Sequence, residues 1–196
     1  QAITVTHVGT VTGVCAPIEE ISKVVAKHKD TIYIVDGVCA TAAEPELVDK
    51  MGIDILFTAS QKAFGVPPGL AIVWAGPKAM ERRKSLGTIP EFYADFDRWL
   101  PIMQDPSKYF GTPAVNLIWA LQESIRMIKE EGLENRYARH KRVAKAMQAA
   151  LETLGLKVLA DPDYRAVTLS NLVYPEGVDD VKFRNAMYDE GVVVAG

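Results

Sequence analysis

IDILFTASQKAFGVPPGLAIVW, residues 53–74, contains two apolar runs separated by a short link of small residues and prolines. Each run is typical of a strand, and the link is too short for the helical crossover that parallel neighbours need. The two strands are therefore predicted to lie antiparallel. Lys62 directly follows the first run, so this strand would place an amine at its own end.

Upstream of this stretch, strands and helices alternate. They are predicted as a strand at 2–8 (AITVTHV), a helix opened by Pro17 at 17–29, a strand at 31–38 (TIYIVDGV) and a short helix at 44–51 (EPELVDKM). This alternation, followed by the strand at 53–60, predicts right-handed crossovers and a mostly parallel sheet.

Downstream, the sequence predicts a second, smaller α/β layer. A helix at 77–86 precedes an aromatic, proline-rich stretch at 88–113 that has no period and is predicted to be a long structured loop with a function. The remainder is predicted as helices at 113–130 and 133–154, strands at 156–160 and 166–174, a helix at 179–190 and a strand at 192–195.

The composition is that of a soluble globular protein, with 196 residues, 48% hydrophobic residues and a formal net charge of −3. This charge gives no general attraction for nucleic acid, and the basic stretches at 81–84 and 136–142 are predicted to be solvated helix faces. Cys15 and Cys39 are predicted to be buried thiols in a reducing compartment. No apolar run approaches the roughly 18 residues of a membrane span, so we expect a cytoplasmic protein. Because the chain starts without methionine and within a strand pattern, we expect a piece of a longer protein.

Polar groups follow three of the predicted parallel strands, where open α/β sheets bind ligands. They are a hydroxyl-rich turn at 7–13, Asp36 and the SQK segment at 60–62. A lysine and a carboxylate at neighbouring strand ends suit pyridoxal phosphate, since the amine can bind the aldehyde and the carboxylate can keep the pyridine nitrogen protonated. Alternatively, Lys62 is a surface lysine and Asp36 a turn former. Spacings typical of a metal site, a hydrolase triad or a nucleotide loop are missing.

The amino-acid sequences of these segments resemble those of the class V aminotransferase family, most of all its alanine–glyoxylate and serine–pyruvate branch. The motifs are THVGTVTGV (6–14), IYIVDGVCA (32–40), DILFTASQKAFGVPPGLAIV (54–73), FYADFDRWL (92–100), KYFGTPAVNLIWALQESI (108–125) and EEGLENRYARHKRVAKAM (130–147). The resemblance implies an α/β fold: the three-layer, mostly parallel sheet of the fold-type I large domain and a small C-terminal α+β domain, both incomplete. Residues 1–130, including the interface loop 88–113, would belong to the large domain and residues 131–196 to the small one.

The resemblance also implies a role for each site residue. Lys62 would form the Schiff base and act as general acid and base, while Asp36 would pair with the pyridine nitrogen. Val38 would pack on one face of the ring, Gln61 would make a polar contact near the ring oxygen or the phosphate, and Thr10 would lie near the ring. Val38 could equally be plain core. Gln61 counts against a cysteine desulfurase, which usually has histidine there.

Tyr109 and Thr112 would reach the cofactor phosphate of the other subunit, which implies a homodimer. Their alternative is loop packing and an N-cap before Pro113. Gly9 stands where the family often has an acid, so substrate contacts at that turn are open. The family's glycine-rich phosphate site and ring-stacking aromatic are expected before residue 1, and its substrate-binding arginine beyond residue 196.

The leading hypothesis is pyridoxal-phosphate-dependent transamination, through a Schiff base on Lys62, between alanine or serine and glyoxylate or pyruvate. A lyase or cysteine desulfurase of the same fold is the nearest alternative. A third possibility is that the 196 residues alone form a non-catalytic module that binds cofactor poorly.

Overall fold

The computed structural model describes residues 1–195, and its centre is a four-stranded sheet with the strands in chain order. The strands are β1 (Ala2–Thr6), β2 (Ile32–Asp36), β3 (Ile55–Ala59) and β4 (Ala71–Ala75). β1, β2 and β3 are parallel, whereas β4 pairs antiparallel with β3. The mostly parallel sheet and its antiparallel last strand are thus confirmed.

The main core lies between the sheet and helix α1 (Ile18–Val25). β2 is its centre, since Tyr33 is 1% exposed and Val35 is fully buried. The Tyr33 hydroxyl donates to the Ile18 carbonyl at 3.1 Å, which satisfies the polar end of a buried ring. Ile32, whose side chain lies on the face opposite to Tyr33 and Val35, is 6% exposed, so β2 is covered on both faces, as its continuous apolar run indicates.

The helix predicted at 44–51 is absent, and turns connect β2 to β3. Pro45 is compatible with the first turn of a helix and so does not by itself prevent this one. The Glu44 carboxylate instead accepts a hydrogen bond from the Val167 N–H at 2.6 Å, and Glu46 binds His7 at 2.8 Å. Buried polar contacts with distant residues therefore replace the helix.

Segment 88–113 is more ordered than a loop. After α2 (Pro77–Ser85) it contains α3 (Phe96–Gln104) and a 3₁₀ turn at Pro106–Lys108. The Asp95 carboxylate caps α3 by accepting from the Asp97 N–H at 3.0 Å. Pro101 inside α3 obscures the helical pattern in the sequence.

The remaining chain forms two long helices and a small second sheet. Its elements are α4 (Val115–Glu131), α5 (Leu133–Thr153), β5 (Lys157–Val158), β6 (Leu172–Val173) and α6 (Asp180–Asp189). β5 and β6 pair antiparallel but have two residues each, which is shorter than predicted, and residues 192–195 form no strand. The division of the chain at residue 130 stays a prediction. Within residues 1–195, no helix is both long and apolar enough to cross a membrane.

Candidate active site

The carboxyl ends of β1, β2 and β3 meet at one edge of the sheet. Asp36, the last residue of β2, stands opposite Thr6 of β1 and Phe57 of β3. The His7 N–H donates to the Asp36 carbonyl and the Gly37 N–H to the Phe57 carbonyl, both at 2.9 Å. The turns after the three strands therefore start side by side, as the sequence predicts.

Asp36 is half-buried and its carboxylate faces its own turn. One oxygen, Oδ1, accepts from the Val38 N–H at 2.9 Å, the geometry by which aspartate stabilises a turn. No hydrogen bond within residues 1–195 engages the other oxygen. Val38 is likewise half-buried in this turn. The structure thus offers one carboxylate oxygen to a ligand while the other fixes the side chain. We call residues 37–44 the aspartate loop.

Residues 60–70, which connect β3 to β4, form the lysine loop. Ser60 at its start is fully buried; its Oγ donates to the Pro67 carbonyl at 2.7 Å and accepts from the Leu70 N–H at 3.2 Å. Gly65 has a φ of 67°, which other residues rarely adopt, so it permits the tight turn. The loop is therefore closed by its own polar contacts.

Lys62 and Gln61 lie in the first turn of the lysine loop, and both are exposed. In the part of the chain that the structure describes, the Lys62 amine makes no ion pair or hydrogen bond. The amine is therefore accessible to a carbonyl compound, with which a lysine forms a Schiff base once it has lost its proton.

Thr10 lies in the turn after β1, and its hydroxyl is 3.3 Å from the Cys39 sulfur in the aspartate loop. Asn171, far along the chain, donates to the carbonyls of Thr10 and Val11 at 3.1 and 3.0 Å. Cys15 and Cys39 are free and half-buried, and burial raises the pKa of the Cys15 thiol to about 12. Thr10 thus lies beside the aspartate loop, as predicted for a site residue. Asn171 holds the turn that carries Thr10, a role that its sequence context did not indicate.

Within residues 1–195, no hydrogen bond connects Tyr109 or Thr112 to this edge of the sheet. Both are exposed, and the Tyr109 side chain is 60% exposed. Five of the seven predicted site residues therefore lie in the three strand-end turns, and these two lie on the surface after α3.

Two helices bind the loops of the site through residues that the sequence did not single out. Arg136 of α5 donates to the carbonyls of Ala42 and Ala63, and the Ser124 hydroxyl of α4 donates to the Phe64 carbonyl at 2.5 Å. Arg136 was predicted to lie on a solvated face, which is wrong because its side chain is only 13% exposed. The same prediction for Arg83 is also wrong, since its side chain is buried and its Nη2 lies 2.7 Å from Oδ1 of Asp95. Neither basic stretch carries a local signal of burial.

A buried polar pair lies beneath the strand ends. His7 Nδ1 and Glu46 Oε1 are 2.8 Å apart, and their side chains are 5% and 4% exposed. Nearby, burial raises the pKa of Glu44, although the Val167 N–H and the charge of His7 oppose this rise. The pair joins the turn after β1 to the chain after the aspartate loop, and so it fixes these two parts of the chain relative to each other.

The groups at this edge fit pyridoxal phosphate. An unengaged amine and an unengaged carboxylate oxygen follow neighbouring strands, and these are the two groups that bind its aldehyde and its pyridine nitrogen. Thr10 and Gln61 add polar side chains beside them. The residues that would hold the cofactor are thus Lys62, Asp36 and the turns that carry them.

Comparison with known proteins identifies the family of the chain. The family model for class-V aminotransferases matches residues 1–196. The chain is 41% identical over 197 residues to an uncharacterized aminotransferase of Methanocaldococcus jannaschii, covering 100% of this chain and 51% of that protein. It is 34% identical over 181 residues to serine–glyoxylate aminotransferase of Arabidopsis thaliana, covering 91% of this chain and 45% of that protein.

Among solved structures, alanine–glyoxylate aminotransferase of Nostoc sp. superimposes with a TM-score of 0.93 at 28% identity, over 100% of this chain and 52% of that one. The chain thus spans about half the length of these relatives. The likeness confirms the predicted α/β fold of the pyridoxal phosphate transferases. By its match over the full length, the chain belongs to the class-V aminotransferase family, which depends on pyridoxal phosphate.

Proposed function

We propose that the whole protein transfers an amino group between a small amino acid, alanine or serine, and a 2-oxo acid, glyoxylate or pyruvate. The observation that carries this proposal is the free amine of Lys62 beside the strand that ends in Asp36, at one edge of the sheet. The names of the relatives, which include serine–glyoxylate and alanine–glyoxylate aminotransferases, support the choice of substrates.

Each residue has a distinct task in this proposal. When bound, pyridoxal phosphate supplies a ring that accepts electrons from the substrate. Lys62 holds the cofactor through its amine and moves a proton at the substrate α-carbon. The free oxygen of Asp36 holds a proton at the pyridine nitrogen, while Val38 packs against the ring. Gln61 and Thr10 orient the cofactor by polar contacts.

A homodimer completes the proposed site. Tyr109 and Thr112 are exposed between the 3₁₀ turn and α4, far along the chain from the strand ends, and would reach the cofactor phosphate of the partner subunit. Large apolar side chains are exposed on the same stretch, among them Met103 at 75% and Trp119 at 65%. A partner subunit would cover such a surface. The two free cysteines support a reducing, cytoplasmic location.

Borohydride labelling tests the chemistry. The complete protein, incubated with pyridoxal phosphate and then with borohydride, should carry the cofactor covalently on the peptide that contains Lys62. A Lys62→Ala variant should carry none there. Labelling elsewhere, with normal turnover in the variant, would refute the assignment.

Product analysis tests the reaction class. One turnover with alanine or serine should give the 2-oxo acid and the aminated cofactor in equal amounts. Release of ammonia would instead indicate a lyase, and a persulfide formed from cysteine would indicate a desulfurase.

A further inference from the structure

One guanidinium group joins the two loops of the candidate site. Arg136 Nε donates to the Ala42 carbonyl of the aspartate loop at 2.7 Å, and its Nη2 donates to the carbonyl of Ala63 in the lysine loop. Ala63 is the residue after Lys62. These two acceptors lie 94 and 73 residues before Arg136 in the chain, so the contact fixes parts of the chain that no local interaction connects.

The aspartate loop needs such support. Ala42 has a φ of 73° and is the one residue other than glycine with a positive φ in the part of the chain that the structure describes. A residue with a side chain is strained in this backbone conformation, and it keeps the conformation only where surrounding contacts hold the backbone. The hydrogen bond from Arg136 to the Ala42 carbonyl is one such contact, so the guanidinium stabilises the loop at its strained residue.

The charge of Arg136 is balanced outside the site. Its Nη1 donates to Glu131 at 3.1 Å, and Glu131 also accepts two bonds from Arg139, the shorter at 2.5 Å. Within residues 1–195, Arg139 makes no hydrogen bond or ion pair with either loop. The two arginines share a helix and a carboxylate, and they differ in whether they contact the site loops.

We propose that Arg136 is a positioning residue, whose guanidinium fixes the lysine loop relative to the aspartate loop and so sets where the Lys62 amine lies with respect to the Asp36 carboxylate. This inference rests on the proposed function, in which both groups bind one cofactor. An arginine suits the task because its planar fork donates in several fixed directions, whereas a lysine donates from one point. Ser124, which binds the next carbonyl of the lysine loop, acts in the same direction.

The test compares Arg136→Lys with Arg139→Lys in the complete protein. Both changes keep the positive charge and remove bonds to Glu131, but only the first removes bonds to the loops. In Arg136→Lys we expect amide hydrogen exchange at residues 60–66 and 40–44 to accelerate by about tenfold, the effect of losing one charge-assisted hydrogen bond. Exchange there should change less than about twofold in Arg139→Lys.

The second readout is the cofactor. Arg136→Lys should bind pyridoxal phosphate about tenfold more weakly and shift the pH profile of the absorbance of the bound cofactor, because the amine and the carboxylate no longer hold one fixed separation. In the same variant kcat should fall more than KM rises. Equal behaviour of the two variants in exchange and in cofactor binding would overturn the inference.

Hydrogen exchange is measured without cofactor, so it separates this inference from the proposed function. If wild-type protein fails to bind pyridoxal phosphate at Lys62 while Arg136→Lys still loosens both loops, the proposed function fails and the role of Arg136 in loop geometry stands. If Arg136→Lys is too unstable to purify, Ser124→Ala replaces it, with faster exchange expected at residues 62–66. Unchanged exchange in that variant would count against the inference.

Discussion

The lysine loop contains no helix, whereas segment 88–113 contains α3 and a 3₁₀ turn, and the two segments are held in different ways. The lysine loop is bound to the body of the molecule by Ser60 within it and by Arg136 and Ser124 from two helices. Segment 88–113 packs mainly on itself: the rings of Trp99 and Phe110 are 5.0 Å apart. The loop that carries Lys62 is fixed from several sides, whereas segment 88–113, the proposed contact with a partner subunit, keeps aromatic side chains such as Tyr93 and Tyr109 at the surface.

Among the changes that test this comparison, removal of the Lys62 amine should have the largest effect. Lys62→Ala is expected to lower the transamination rate by about 10²–10⁴-fold, the usual contribution of a general acid–base residue. Its unfolding free energy should stay near that of the wild type because Lys62 is exposed. Steady-state kinetics and urea unfolding on the same samples check both expectations. Lys29→Ala, an exposed lysine after α1, is the control and should leave the rate unchanged within about twofold.

Truncation of buried and exposed leucines should come next. Leu56→Ala in β3, where the side chain is 8% exposed, should lower the free energy of unfolding by about 2–5 kcal/mol. Leu100→Ala in α3, where it is 41% exposed, should cost about 0.5 kcal/mol. Chemical denaturation measures both. A cost for Leu100 close to that for Leu56 would mean that a partner buries α3, which is a direct test of the proposed dimer.

Ser60→Ala should have an intermediate effect. It removes the hydroxyl that closes the lysine loop and leaves the Pro67 carbonyl without that donor, so we expect a loss of about 1–3 kcal/mol in the free energy of unfolding. Ser85→Ala removes an exposed serine hydroxyl bonded to the Arg82 carbonyl at 2.7 Å and is the matched control. Equal costs for the two changes would show that the lysine loop does not depend on this contact.

The smallest effect on stability should be the one seen when the pH is lowered. Hydrogen bonds from Arg139, and then from Arg136, lower the pKa of Glu131 to about 2, against an ordinary value of 4.5. A carboxyl with a lowered pKa in the folded state stabilises the fold fully above its ordinary pKa, and this contribution is lost as the pH falls from about 4.5 to about 2. Thermal unfolding across that range should show a smaller fall in Glu131→Gln than in the wild type. Glu130→Gln, whose partner is the exposed Arg126, should follow the wild type.

The order and direction of the central strands could be predicted because each depends on local features. Apolar runs define the strands, and the length of each connection decides whether neighbours are parallel or antiparallel. The positions of Asp36 and Lys62 follow, since both end strands that share one edge of the sheet. The family resemblance then allowed the cofactor, pyridoxal phosphate, to be predicted as well.

The supporting contacts could not be predicted because they join distant parts of the chain. Glu44 meets Val167 across 123 residues, and this contact favours turns where a helix was expected. Arg136 lies on a helix whose sequence is polar on most sides, and its burial depends on loops that precede it by more than 70 residues. No periodicity within a helix reports such partners.

The antiparallel pairing of β3 with β4 has a consequence for folding. Ala59 faces Ala71 across this ladder, so the lysine loop closes over a short stretch of chain and requires little loss of chain entropy. The parallel pairing of β2 with β3, which brings Asp36 beside it, joins residues about 21 apart through a connection without a helix. Local pairings form sooner than distant ones. We therefore expect β3, the lysine loop and β4 to be structured early, and Asp36 and the hydrogen bonds from Arg136 of α5 to join them late.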